Sequence, residues 1–323
     1  MSLSLNRREF LARTAVVAAS SGGLQAAEAL AAPPRRIGTI PIIDTHVHLW
    51  DLARFRLRWI EAGEYREIAR NYSLEDYLEE TRGHDVVKAV YMEVDVEPSQ
   101  QAAETEYVIE LCRAKGPLAA AVISGRPATD GFKAYLMKFR GSPYIKGVRE
   151  VLAEARTPRG YCLDPAFLRG VRLLGELGLC FDVALRRDEL ADAAKLAAAC
   201  PDTRFVLDHC GNPDLRAADL DPWKRDLAAV ARRENVVCKV SGFVTTAKKG
   251  TWTPEDLGPV IDHAYEVFGS GRVMFGSDWP VCNLSATYGQ WVDALAEVVR
   301  GRGERELRLL FHDNAARFYG LQA

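Results

Sequence analysis

Eight short apolar runs recur along the chain, and each is followed by a longer stretch with helical periodicity. The runs span residues 41–46, 86–92, 118–123, 145–149, 179–184, 204–209, 236–241 and 273–278. Their near-continuous apolar character, without strict alternation, is that of strands covered on both faces. Between them, Ser73-Leu74-Glu75-Asp76 reads as a helix cap, and Thr253-Pro254-Glu255-Asp256 as a helix start with proline in its first turn. Phe167 to Leu177 carries apolar residues at helical spacing and stops at Gly178, and Asp188-Glu189-Leu190 opens an Ala-rich helix toward Ala199. Strand starts recur about every 33 residues, roughly the length of one βαβ step. Eight such steps predict a closed (β/α)8 barrel of the α/β class, the TIM-barrel architecture, as a single domain over residues 38–323. An open doubly wound sheet that binds a dinucleotide would want a Gly-rich turn after its first strand, and this one ends in His46-Val47-His48-Leu49-Trp50. The longest gap between strands, from His48 to Val86, predicts a lid over the barrel mouth carrying Trp50, Phe55, Trp59 and Tyr65.

The start of the chain follows a different pattern. Asn6-Arg7-Arg8-Glu9-Phe10-Leu11 precedes a mildly apolar Ala-rich run, and Ala29-Leu30-Ala31 offers a small-x-small cleavage site. These features predict a twin-arginine-type signal peptide over residues 1–31, a linker over 32–37, and export to the periplasm. An amphipathic helix on the body of the protein is the alternative, but Gly22-Gly23 and Pro33-Pro34 would break it. The balance of 42 basic and 44 acidic residues, a formal charge of -2, supplies no field for nucleic acid or an anionic membrane. No run of ~18 apolar residues is present, so stable membrane insertion is not expected. The seven cysteines contain no CxxC pair and several lie in apolar runs, which predicts buried thiols rather than a disulfide framework.

Candidate chemistry concentrates at strand ends. His46 and His48 are two apart on the first strand, so both imidazoles project to the same side, as metal ligands would. Asp278 ends the eighth run, and in a closed barrel strand 8 lies beside strand 1. A carboxylate there can bind metal, take a proton from water, or do both. Asp208-His209 ends the sixth run, and its context leaves open which of the two faces inward. Arg149 on strand 4 has two readings of equal weight: a clamp for a substrate carboxylate or oxyanion, or the partner of a structural carboxylate such as Asp182. Lys239 reads as a charge partner for barrel carboxylates. Lys146, three residues before Arg149, faces away from it, so a lysine bridging two metals is not expected and the site holds one metal at most.

These pieces, with Gly147-Val148-Arg149, Phe181-Asp182, Asp208-His209-Cys210-Gly211-Asn212-Pro213, Lys239-Val240-Ser241-Gly242 and Met274 to Val281, resemble the amidohydrolase superfamily. They are most similar to its branch of sugar-acid and aromatic-pathway lactonases, which includes fuconolactonase and pyrone-dicarboxylate lactonase. The resemblance covers residues 38–323 in order and implies a barrel of the metal-dependent hydrolase type that opens a small lactone with water. It further implies one divalent metal, zinc, on His46, His48 and Asp278, although some members work without metal. Asp278 and His209 would be catalytic, and Arg149, His209, Trp50 and Glu93 would contact a small-molecule lactone or organic acid. Two positions depart from the pattern: Glu150 stands where His often follows the arginine, and Glu93 where Gln is common. Both add negative charge and favour a neutral sugar lactone over a dicarboxylate. The export leader is a third departure, since most relatives lack one. A zinc-dependent decarboxylase on the same barrel and a non-catalytic exported binding barrel are the alternatives, and a homo-oligomeric state stays open.

Overall fold

The structure is a computed structural model that describes residues 40–321 apart from 62, 115 and 155. The leader and linker read from the sequence lie outside the described residues. Eight parallel strands form one sheet in sequential order: β1 (Ile42–Val47), β2 (Val86–Met92), β3 (Leu118–Ser124), β4 (Ile145–Val151), β5 (Cys180–Ala184), β6 (Arg204–Leu207), β7 (Val236–Val240) and β8 (Val273–Phe275). One helix follows each: α1 (Leu74–Glu80), α2 (Gln101–Arg113), α3 (Phe132–Phe139), α4 (Pro165–Glu176), α5 (Leu190–Ala199), α6 (Asp221–Ala231), α7 (Pro254–Phe268) and α8 (Tyr288–Val299). Two short helices, α9 (Glu304–Arg308) and α10 (Asn314–Tyr319), end the chain's regular structure. This is the expected (β/α)8 barrel. No described helix is long and apolar enough to cross a membrane.

Local chemistry accounts for the element boundaries. Ser73 and Asp76 form a reciprocal capping box at the start of α1, and Thr253 with Asp256 repeats it ahead of α7. Two strands are shorter than their apolar runs. β6 stops at Leu207 and β8 at Phe275, because His209 (φ 54°) and Asp278 (φ 60°) enter the left-handed region and cannot continue a strand.

The seam between β8 and β1 closes through residues just beyond β8. Asp278 N–H donates to the His46 carbonyl (2.9 Å), and His48 N–H donates to the Trp279 carbonyl (2.8 Å). Thr45 Oγ1 adds a bond to the Phe275 carbonyl (2.5 Å).

Inside the barrel, Ile43, Val90, Met92, Val122, Cys180, Val206 and Met274 form an apolar floor, sealed by Ala315, Tyr319 and Leu321 at the chain's end. A larger apolar layer fills the space between strands and helices. Full burial of each large aliphatic or aromatic side chain contributes about 1.5–3 kcal/mol. All seven cysteines are buried and free.

The long connection from β1 to α1 folds as two short 3-10 turns, Arg58–Glu61 and Gly63–Ile68. Trp50 and Tyr72 pair their backbones antiparallel (2.9 and 3.0 Å) and stitch this segment to the barrel.

Candidate active site

Above the apolar floor the barrel interior turns polar. On β5, β7 and the end of β6, Asp182, Lys239 and Asp208 are fully buried. Lys239 Nζ lies 2.6 Å from Asp182 and 3.2 Å from Asp208 Oδ1. Lys239 is therefore the charge partner that its position predicts. Asp208 is held well below the usual carboxylate range: burial opposes this, but Lys239, His46 and Arg149 outweigh it. Asp182 moves the other way, to about 6, because burial dominates over Lys239.

On this charged layer stand the two histidines of β1. Their rings project to the same side, with Nε2 atoms 3.2 Å apart. The His48 Nδ1 atom is 3.0 Å from the Met92 carbonyl. A carbonyl only accepts, so Nδ1 carries a proton there and Nε2 is the nitrogen that faces the site. His46 Nδ1 is 3.4 Å from Asp208 Oδ1, and its Nε2 is 3.3 Å from Arg149 Nη1. Burial, with Lys239 nearby, holds His46 well below the ordinary imidazole range against the pull of Asp208, so the ring is neutral at pH 7.

Asp278 comes from beyond β8, as the closed barrel predicts. Its Oδ1 lies 3.3 Å from His48 Nε2 and 3.5 Å from His46 Nε2. Burial would raise its pKa, but His209, His48 and His46 together bring it down to about 2. It is an anion throughout the neutral range. Asp44, the first residue of the Asp-Thr-His-Val-His motif, does not enter the site. It accepts bonds from Ser277 N–H (2.8 Å), Tyr77 O–H (3.0 Å) and His46 N–H (3.2 Å), clamping the Asp278 loop to β1.

The open question at Asp208-His209 resolves in favour of both. The left-handed backbone at His209 breaks strand alternation, so Asp208 faces the buried charge layer while His209 reaches the mouth. Its Nδ1 is 2.9 Å from Ser241 Oγ, and its ring lies 4.6 Å from that of His46. Gly242 makes this approach feasible: at φ 64° a Cβ there would stand 2.3 Å from His209 Nδ1. Positive φ at His209, Cys210, Asn212 and Asp278 concentrates backbone strain at the site, as functional centres often do. Ligand atoms of His46, His209 and Asp278 fall within 4.8 Å of one another, and His48 Nε2 adjoins two of them. Neutral imidazoles with one carboxylate suit a divalent cation, and the Met92 carbonyl supplies the outer contact that orients such a ligand.

Three expected substrate contacts are engaged by groups of the protein itself. Arg149 donates from Nε to Glu93 Oε1 (2.6 Å) and from Nη2 to the Glu93 carbonyl (2.7 Å), with Nη1 3.3 Å from Asp208. Of its two readings the structural one describes its surroundings, with Glu93 and Asp208 as partners in place of Asp182. Glu93 is wholly buried, and its second oxygen accepts from Asp95 N–H (2.7 Å), so both of its oxygens are engaged within the protein. Trp50 is 1% exposed, donates to the Arg70 carbonyl (2.6 Å) and packs edge-on against Trp59 and Tyr72. It is core beneath the lid. Ser241 received no role from the sequence, yet it stands two residues after Lys239 on an extended stretch, which alone places it on the inward side.

Residues 43–321 match the family model described as Amidohydrolase. The chain belongs to the amidohydrolase family. This amidohydrolase is 31% identical over 295 residues to the L-fucono-1,5-lactonase of Burkholderia multivorans, an alignment covering 86% of this chain and 96% of that one. It is 24% identical to the L-rhamnono-gamma-lactonase of Scheffersomyces stipitis, covering 87% and 98%. A crystal structure of a Burkholderia multivorans amidohydrolase with bound zinc superposes with a TM-score of 0.80 at 28% identity, covering 87% of this chain and all of that one. The family assignment makes the chain a hydrolase.

Proposed function

We propose that this amidohydrolase opens a small uncharged lactone of the sugar-acid kind, with water as nucleophile and Asp278 as the base. The observation that carries the reading is the meeting of an anionic Asp278 with three imidazoles at the barrel mouth. The lactonase names of the relatives support the substrate class. So does charge: Arg149 and Lys239, the cations beneath the site, are already held by Glu93, Asp208 and Asp182. A carboxylate-bearing substrate would meet the negative Asp278 with no free cation from this pair to offset it.

His46, His48, His209 and Asp278 are the residues that would hold a zinc ion. When bound, zinc would polarise the lactone carbonyl and lower the pKa of water from 15.7 toward ~7. The chain's own groups do the rest. Asp278 accepts a proton from water as the oxygen attacks the carbonyl carbon, and returns it to the ring oxygen as the C–O bond breaks. The product is a hydroxy acid. Ser241 fixes the His209 ring so that its Nε2 meets the same space, and Met92 does so for His48. Asp208, Lys239 and Arg149 keep His46 in place from below.

A lactone panel read by pH indicator tests this reading. Sugar-acid lactones should be turned over, and Asp278→Asn should lower kcat by about 10²–10⁴ with an unchanged far-UV spectrum. Inertness toward every lactone, with CO₂ released from an unsaturated acid, would transfer the assignment to decarboxylation. The leader read at residues 1–31 implies export by the twin-arginine route, and replacing Arg7 and Arg8 with Lys should then block delivery to the periplasm.

A further inference from the structure

At the end of the barrel opposite the site, the starts of β6, β7 and β8 and helix α10 frame a cavity of about 400 Å³. Arg204, Arg272 and Arg317 line it, with Glu234 on the same wall. Arg204 donates to the carbonyls of Phe318 and Gly178. Arg272 donates to those of Ala231, Arg233 and Val236, and Arg317 to that of Gly271 and to Asn314 Oδ1. None of the three has a carboxylate oxygen within 4.0 Å among the described residues. A guanidinium carries five N–H donors, so these bonds leave at least two on each arginine uncommitted among the described residues. The arginines thus bring spare donors to the cavity wall, on a face of the barrel that ordinarily serves stability. Beneath them the wall is apolar: Val237, Val273, Met274 and the ring of Phe318, over which the Arg204 guanidinium stacks at 4.9 Å. Burial lowers the Arg272 pKa, and Glu234 only partly offsets it, as for a cation short of a counterion.

We infer that this cavity is a second ligand site, for a small organic anion whose carboxylate or phosphate meets the three arginines and whose apolar part rests on Val237, Val273 and Met274. Its volume lies within the range of small-molecule pockets, and the planar forks of arginine match both oxyanion geometries. The site shares no residue with the lactone-opening centre, so it stands whether or not that reading holds.

Calorimetric titration of the full-length protein at fixed ionic strength, with butyrate and with inorganic phosphate, tests it and separates the two headgroups. Saturable binding is expected for at least one of the two probes. It should weaken tenfold or more in the Arg204→Gln/Arg317→Gln variant and stay unchanged in His209→Ala. Glu234→Gln, which removes the competing negative charge and leaves every arginine bond in place, should tighten it threefold or more. Failure of both probes to saturate would overturn the proposal. So would equal affinity in wild type and Glu234→Gln, or loss of binding in His209→Ala, which would put the anion at the barrel mouth.

Discussion

The Oδ1 atom of Asp278 stands 3.3 Å from the Nε2 atom of His48, across the seam where the last strand of the barrel meets the first. Two backbone bonds at that seam hold the pair in register. Because His48 Nδ1–H is committed to the Met92 carbonyl, Nε2 is the ring nitrogen left to face Asp278. Such a pair is stabilised by a cation, and neighbouring imidazoles supply further ligands. Metal analysis of the purified protein should find about one equivalent of a divalent ion, in keeping with a single mononuclear centre. His48→Ala should weaken its binding by more than about tenfold, since even outer contacts of metal ligands cost that much. Equal metal content and affinity in the two proteins would refute the assignment of His48 as a ligand.

Lys239 tests the charge layer beneath the site. It lies between Asp182 and Asp208 with no exposure, so Lys239→Met leaves two carboxylates buried without their main partner. Removing one side of such a pair costs about 3–5 kcal/mol. A fall in Tm of about 4–7 °C follows for a chain of this size. Adding Asp182→Asn should restore part of the loss, because one of the stranded charges is then gone. A double variant as unstable as the single would show that packing, rather than charge, sets the cost.

Gly242 makes a sharper case, because its neighbour is the His209 imidazole. Gly242→Ala puts a methyl group 2.3 Å from His209 Nδ1 at a backbone φ of 64°. The His209–Ser241 contact must break, and the substitution should destabilise the protein by about 1–3 kcal/mol. Activity should fall further than stability explains, since the ring loses its orientation.

What could be read in the sequence, and what could not, divides by the range of the interaction. His46 and His48 were legible because alternate strand residues share a side, and Asp278 because eight parallel strands close on themselves. The pair at Asp208-His209 was not, since a single left-handed residue abolishes the alternation on which such a reading depends. Arg149 kept its charge partners hidden for another reason. Glu93 comes from the end of β2 and Asp208 from the end of β6, two strands away on either side, and no local pattern records that meeting. Trp50 reads as a lid residue until the chain doubles back to pair it with Tyr72, which buries it.

Glu104 on α2 carries the clearest pH signature. It is almost wholly buried, and its Oε1 accepts from Tyr91 O–H (2.9 Å) and Val94 N–H (2.8 Å). Burial, reinforced by the negative Glu93, pushes its pKa up from 4.5 to about 8. Between those values the folded protein binds more protons than the unfolded chain, so this group's contribution to stability falls as pH rises through the window. Glu104→Gln keeps the accepting oxygen and cannot ionise. Denaturant unfolding between pH 5 and 9 should therefore show wild type losing stability toward the alkaline end and the variant losing less. The gap closes by at most about 1.4 kcal/mol per pH unit, the limit for one proton. Parallel stability curves for the two proteins would mean that Glu104 is already ionised in the folded state, with its charge accommodated by Tyr91 and Val94.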